Sequence, residues 1–560
     1  MALSKGTYQL VVRNIQLVNV GTLSVEPAWV AVSDGRIAYV GRSGEPIPEA
    51  EVIIDGEGDY LVPSLIDAHM HIESSFTTPR RFVEAALPAG TGTILSDPHE
   101  IANVAGVEGV DWIVRASEGL PMDIYFALPS CVPATNTELE TPGADLRLEQ
   151  LQELYARHPE RFIALGEVMD FTALLDPNSR LHPILDWAKE RRLVIDGHCP
   201  SLPPEDRQVY FSHGIMADHT ITNPEKITSE LAMGVWVQLQ EKSVTQENVE
   251  ALQKLPMEQV LLITDDYAPS RFAQGHINTV VRKAIALGLD PLQAIASTTV
   301  RAARFLGLRN VGIISPGYWA NFWTTESLQE LVPKRVFYRG RDVRAWLEEL
   351  PTMELDPVGG PMHIPAISPE DLTIATEGPL PALVSNGETT TTQLEWVDWQ
   401  GHPYTDPLPP GYAWCLATTR HSPNKEVALC LVKNYGPQRG AIASTVAHDS
   451  HSVIAVGQFP DLLTAISELA RLQGGFVAVE QGQVTAKVHL PYAGLLSDEP
   501  AAQIAEQVRQ FEEEMSRLGV VHERALVFFT VLSLTVSPYY KLTPKGVIDV
   551  QKREIIWRHR

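Results

Sequence analysis

Between residues 61 and 307 the chain alternates short apolar runs with amphipathic stretches of helical period, a pattern that few folds accommodate. The apolar runs are the one ending at His71, then Thr93 to Leu95, Ile124 to Leu128, Phe162 to Leu165, Leu193 to Ile195, Gly214 to Ala217, Val235 to Leu239 and Val260 to Ile263. Stretches such as Leu148 to Arg157 and Ile184 to Arg192 carry helical spacing between them. Apolar runs this short, each followed by a helix, read as parallel strands buried on both faces. Eight of them in βα order predict an α/β fold, a (β/α)8 barrel whose chemistry lies at the C-terminal strand ends.

Both flanks have β character. Tyr8 to Ile15 reads as a strand, Trp29 to Val32 and Arg36 to Val40 flank the turn Ser33-Asp34-Gly35, and Ile53-Ile54-Asp55-Gly56 closes another. After the helix-like Pro291 to Leu306, strands return at Ala320 to Thr324 and Arg335 to Arg339. Residues 1–60 with 308–350 are therefore expected to build one small composite β-sandwich beside the barrel of residues 61–307. Pro351 to Pro369, rich in Pro and Gly, reads as a linker. Residues 365–560, with helices at Leu462 to Leu472 and Ala502 to Leu518, are expected to form a C-terminal α+β domain.

Composition narrows the function. Acidic residues outnumber basic ones, 69 to 44, for a net charge of -25, which argues against a nucleic-acid partner. No run reaches the roughly 18 apolar residues of a membrane helix. Met1 to Gly6 leads into a strand-like run without a signal-peptide core. Cys131, Cys199, Cys415 and Cys430 form no Cys-x-x-Cys pair and are expected to be free thiols in a cytoplasmic, reducing setting.

The chemistry is written at the strand ends. Side chains alternate faces along a strand, so His69 and His71 share a face with Asp67 and can bind one metal ion. Further polar groups are Ser96-Asp97-Pro98-His99-Glu100 after strand two, Gly166-Glu167 after strand four, and Asp196-Gly197-His198 after strand five. Asp218-His219 follow strand six, and Thr264-Asp265-Asp266 follow strand eight. Taken singly, each acid fits a helix cap or a turn, and each histidine a core position. Together they ring one rim with imidazoles and carboxylates, as a metal site requires. Lys242 follows strand seven, and no Gly-x-Ser-x-Gly elbow is present.

This order resembles the amidohydrolase superfamily. Pro63 to Ser75, Ser96 to Ile101, Gly166 to Asp170, Thr264-Asp265-Asp266, Arg439 to His451 and Lys541 to Gly546 are similar to the adenine deaminase family, a likeness covering essentially the whole chain. The resemblance implies two divalent metal ions, Mn2+ or Fe2+, with Zn2+ as an alternative. His69 and His71 would bind the more buried ion, Glu167 would bridge, His198 and His219 would bind the second, and Asp265 would contact the first ion and the attacking water. The implied reaction is hydrolytic deamination of adenine to hypoxanthine and ammonia, by metal-bound hydroxide attack at C6. Asp265 would move the proton, and His99 and Glu100 are candidates for the donor at ring nitrogen N1, their other reading being a helix start after Pro98.

Pocket candidates are Glu73, Ser74, Asp97, Thr220, Gln240, Asp266, His448, Asp449 and His451. Strand alternation turns Asp266 away from the site, Glu73 with Ser74 and Ser75 lines the pocket or, the favoured reading, caps the next helix, and His448-Asp449-Ser450-His451 either reaches the barrel mouth or forms an internal polar turn. The partner is a small purine base, and the family implies a homo-oligomer, a dimer or tetramer. Departures from the family pattern are Thr220 for Glu, Gln240-Glu241-Lys242-Ser243 for Arg-Glu-Gly-Ser, Ser452 for Asn and Asn321 for Asp. They leave open the same chemistry on an N6-substituted aminopurine or another cyclic amine or amide. They also leave open a non-catalytic base-binding homologue.

Overall fold

The computed structural model describes residues 8–199, 202–351, 355–374, 378–422 and 424–559. Every residue of Leu65–His71 is buried, as befits a strand covered on both faces. This strand, β1, is followed by β2 (Thr91–Ser96), β3 (Asp123–Leu128), β4 (Phe162–Val168), β5 (Val194–Gly197), β6 (Ala217–Asp218), β7 (Trp236–Leu239) and β8 (Val260–Leu262). Parallel pairing runs β1 to β5 and again β6 to β8. Met216 N–H donates to the Ile195 carbonyl at 2.9 Å and joins the two arcs. The ring closes where Asp265-Asp266 pair in parallel with Met70-His71 of β1. The result is the (β/α)8 barrel.

Tyr60–Pro63 does not continue into β1, although its apolar character is the same. It pairs antiparallel with Phe322–Thr325 and parallel with Gln16-Leu17, in the sheet beside the barrel. That sheet draws eight strands from both flanks of the barrel. They pack on a core of Leu10, Val12, Ile15, Val30, Val32, Phe322 and Phe337. Its Ser33-to-Arg36 hairpin turns through Asp34 (φ 51°) and Gly35 (φ 71°), two successive left-handed residues whose twist matches the strands they join. The stretch expected as one helix from Pro291 to Leu306 is two helices, Pro291–Ser297 and Val300–Phe305. The Thr298 and Thr299 hydroxyls both donate to the Ile295 carbonyl, competing with the helical bonds.

The C-terminal part holds an eight-stranded sheet with two long helices, Asp461–Leu472 and Ala501–Arg517, and a three-stranded sheet at its end. It shares one apolar core with the barrel. Trp112 stacks on Tyr492 at 5.5 Å, and Phe76 meets Phe476 at 5.5 Å. No described helix is long and apolar enough to cross a membrane.

Candidate metal centre

Because β1 alternates, His69 and His71 project together at its C-terminal end, their rings 5.0 Å apart. Each imidazole has one nitrogen tied down. His69 Nδ1 donates to Asp196 at 2.7 Å, and His71 Nδ1 to the Asp97 carbonyl at 2.9 Å. The opposite nitrogens face Asp265: His71 Nε2 lies 3.4 Å and His69 Nε2 3.8 Å from its carboxylate. Locking one ring nitrogen in this way selects the tautomer whose other nitrogen is a free ligand.

Glu167, at the end of β4, lies at the centre. Its Oε2 is 2.8 Å from His198 Nδ1 and 2.9 Å from His219 Nε2, and its Oε1 is 4.0 Å from His71 Nε2. Burial opposes ionisation of Glu167, yet His198 and His219 hold its carboxyl well below the ordinary carboxylate range. Gly166 permits this placement. A Cβ there would lie 2.2 Å from the Asp97 carboxylate, which accepts the Glu167 N–H at 2.9 Å.

The donor set fits two cations. His69 Nε2 is buried without a hydrogen-bond partner among the described residues, although buried nitrogens are nearly always paired. His69-His71-Glu167, Glu167-His198-His219 and His71-Asp265-Asp266 each bring their ligand atoms within 4.8 Å of one another, and Glu167 belongs to two of these groups. Imidazole with carboxylate is a ligand set for a transition-metal ion.

A cavity of about 360 Å³ opens above this cluster. His71, His99, Glu167, His198 and Asp265 line its floor, and Ser74, Lys242 and Asp266 also line it. The C-terminal part supplies His448 and Asp449 and an apolar surface including Val508, Leu526, Val527 and Val531.

A family model described as the amidohydrolase family matches residues 60–343, and one described as the adenine deaminase C-terminal domain matches residues 389–554. A protein named adenine deaminase from Oleidesulfovibrio alaskensis is 33% identical over 98% of this chain and 96% of its own. The chain belongs to the adenine deaminase family of amidohydrolases. Adenine deaminase 2 of Carboxydothermus hydrogenoformans is 35% identical over 99% of this chain and 98% of its own. Adenine deaminase of Clostridium perfringens is 32% identical, with 98% of both chains covered.

Several pocket expectations change against this geometry. Asp266 faces the cavity, not away, and accepts a 2.5 Å hydrogen bond from Ser74. The cause is Asp265, whose left-handed φ of 59° breaks the strand alternation. Thr220 and Gln240 do not line the cavity. Thr220 donates to Asp218 at 2.9 Å and meets the ammonium of the buried Lys226, while Gln240 braces the His219 carbonyl at 3.0 Å. Asp97 stands behind Glu167 and His71. Glu73 caps a helix, accepting the Ile101 N–H at 3.3 Å, and burial raises its pKa to about 7.

His448 and His451 do reach the barrel. Both donate to Glu100, one to each carboxylate oxygen. His99 is wedged among acids, 3.6 Å from Asp97 and Glu167 and 3.8 Å from Asp449. Two residues outside the expected set also matter. Asp196 orients His69 and is itself held by Gln238 Nε2 at 2.9 Å. Asp196 was recoverable from its spacing, two positions before His198 on the same face; Gln238 carried no such mark.

Proposed function

We propose that this site hydrolyses adenine to hypoxanthine and ammonia. The observation that carries the reading is Glu167, shared by two imidazole groups at the floor of a cavity of small-molecule size. The near-full-length relatives named adenine deaminase support the choice of base.

His69, His71 and Asp265 would hold one ion and His198 and His219 the other, with Glu167 between them. Divalent ions so held supply a water nucleophile strong enough to act near neutral pH. The donors suit manganese, ferrous iron or zinc, and the family resemblance points to manganese or ferrous iron. Asp265 takes the proton of the attacking water and passes it to the departing amine, a role for a carboxylate within reach of both atoms. Burial opposes its charge, but His71 and His219 keep it ionised and ready to accept. Asp196 and the Asp97 carbonyl hold His69 and His71 in one tautomer throughout.

The non-catalytic alternative rests on Thr220 and Gln240, whose side chains bond to Asp218 and to the His219 carbonyl; ammonia release by the loaded protein decides against it. A second reading keeps the chemistry on an aminopurine substituted at N6, and the apolar surface of Leu526, Val527 and Val531 favours it. A panel of 6-substituted purines ranks the two.

The deciding test is ammonia release from adenine by manganese-loaded protein, with Asp265→Asn as control. Release that falls at least about a hundredfold in the control is expected. No release from a protein with two ions bound would overturn adenine as the substrate.

A further inference from the structure

Glu100 cannot serve as the free acid that its place at the strand-two end invites. It sits in the first turn of the helix His99–Ala116, buried, with both carboxylate oxygens taken by ring N–H groups of His448 and His451. Burial opposes its charge, yet the two histidines hold it well below the ordinary carboxylate range. It is an acceptor, and what it grips is a side chain delivered from 348 residues away.

His448 lines the cavity together with Asp265 and Asp266, while His451 is buried behind it. With Nδ1 committed to Glu100, the His448 nitrogen left for a ligand is Nε2. The turn that presents it is clamped from below. Arg420 Nε donates to the His451 carbonyl at 2.6 Å, His421 Nε2 to the Ser450 carbonyl at 2.9 Å, and His451 N–H to the Ala447 carbonyl at 2.7 Å. Burial works against charge on His448, but Glu100, Asp266 and Asp449 around it carry its pKa up to about 10, so it stands ready to donate. His99, the other candidate, is wedged between Asp97 and Glu167 on one edge and Glu100 and Asp449 on the other.

We propose that His448 of the C-terminal part is the catalytic proton donor to the purine ring, with Glu100 and His451 as its positioning pair. The inference rests on the adenine reading above. As the water oxygen bonds to C6, the C6–N1 π pair moves onto N1 and takes the His448 Nε2 proton. One water proton goes to Asp265 and leaves with the exocyclic amine as ammonia when the C6–N bond breaks. The second is released as the C6 carbonyl forms, and solvent returns a proton to His448. Water and adenine are thereby converted to hypoxanthine and ammonia with nothing left over.

The test compares wild type, His448→Gly and His448→Asn, all manganese-loaded. For His448→Gly we expect kcat down at least about a hundredfold. We also expect KM within a few-fold, two manganese ions retained, a protein that stays folded at the assay temperature although Glu100 loses one donor, and recovery with added imidazole but not with sodium chloride at equal ionic strength. His448→Asn keeps an N–H toward Glu100 but has no Nε2, so it should lose as much kcat; it decides the matter if the glycine variant does not fold. Either variant retaining kcat within about threefold of wild type overturns the proposal. So does a loss that imidazole does not restore in the glycine variant while metal content holds and the protein stays folded, since that outcome makes His448 a structural latch. A wild type inactive on adenine fails the substrate reading instead, and the same comparison is then run on the aminopurine it does turn over.

Discussion

The Nδ1 of His69 is tied by a carboxylate 127 positions away, which leaves Nε2 as the nitrogen that can take a metal ion. Asp196 accepts from its Nδ1 and is fixed in turn by Gln238 and by the Gly197 N–H at 2.9 Å. Asp196→Asn turns a charged acceptor into an amide that does not select the tautomer. Metal affinity should fall about 10- to 100-fold in a chelator competition, with little change in melting temperature. An unchanged affinity would leave Asp196 without this role. Thr220 is the opposite case, outside the cavity lining and bonded to Asp218. Thr220→Glu sets a third carboxylate beside Asp218 and Glu230 around the Lys226 ammonium, where burial already lifts the Glu230 pKa to about 9. It should alter unfolding by urea and leave the ratio of kcat/KM values across 6-substituted purines as it was. A changed ratio would return Thr220 to the pocket.

At the scale of elements, short segments aim the groups. Left-handed Asp265 costs about 1–3 kcal/mol of backbone strain, and in return turns two consecutive acids toward one cavity. The Ala447-to-Ser452 turn is held by Arg420, a fully buried guanidinium whose neighbours are carbonyls, and burial lowers its pKa to about 9. Arg420→Met leaves the His451 and Ala493 carbonyls without this donor. It should destabilise the protein by about 2 kcal/mol in urea unfolding and lower kcat roughly tenfold with metal content unchanged. Normal kcat in a destabilised variant would separate the clamp from catalysis.

Across the whole molecule, the barrel and the C-terminal part share a core and close one cavity between them. The C-terminal part also carries a cost of its own. Lys541 is fully buried in the strand Tyr540–Thr543, donates to the Thr390 carbonyl at 3.2 Å, and has its pKa lowered by burial from 10.5 to about 7. Between those values the unfolded chain holds a proton that the folded chain lacks, so this group makes stability rise with pH across the window. Below about pH 7 both states are charged and the folded state bears the full penalty. Lys541→Met should therefore stabilise by on the order of 3 kcal/mol at pH 6 and by far less at pH 9.5. Equal gains at both pH values would mean that the lysine charge is not the cause.

Local periodicity was enough to read the barrel from sequence, because the strand period of two and the helix period of 3.6 are written in neighbouring residues. The same alternation put His69 and His71 on one face, and the motif order supplied Glu167, His198, His219 and Asp265. What alternation could not convey was a single left-handed residue that reversed Asp266, or a break at Ser64 that sent Tyr60–Pro63 to another sheet. Nor could it tell that His451 would meet Glu100 across 351 positions, since such pairs are chosen by the packing of distant elements and leave no local pattern. Sequence alone determined which groups would gather at the rim; tertiary structure decided which of them face the cavity and which hold the others in place, because that depends on how distant elements pack.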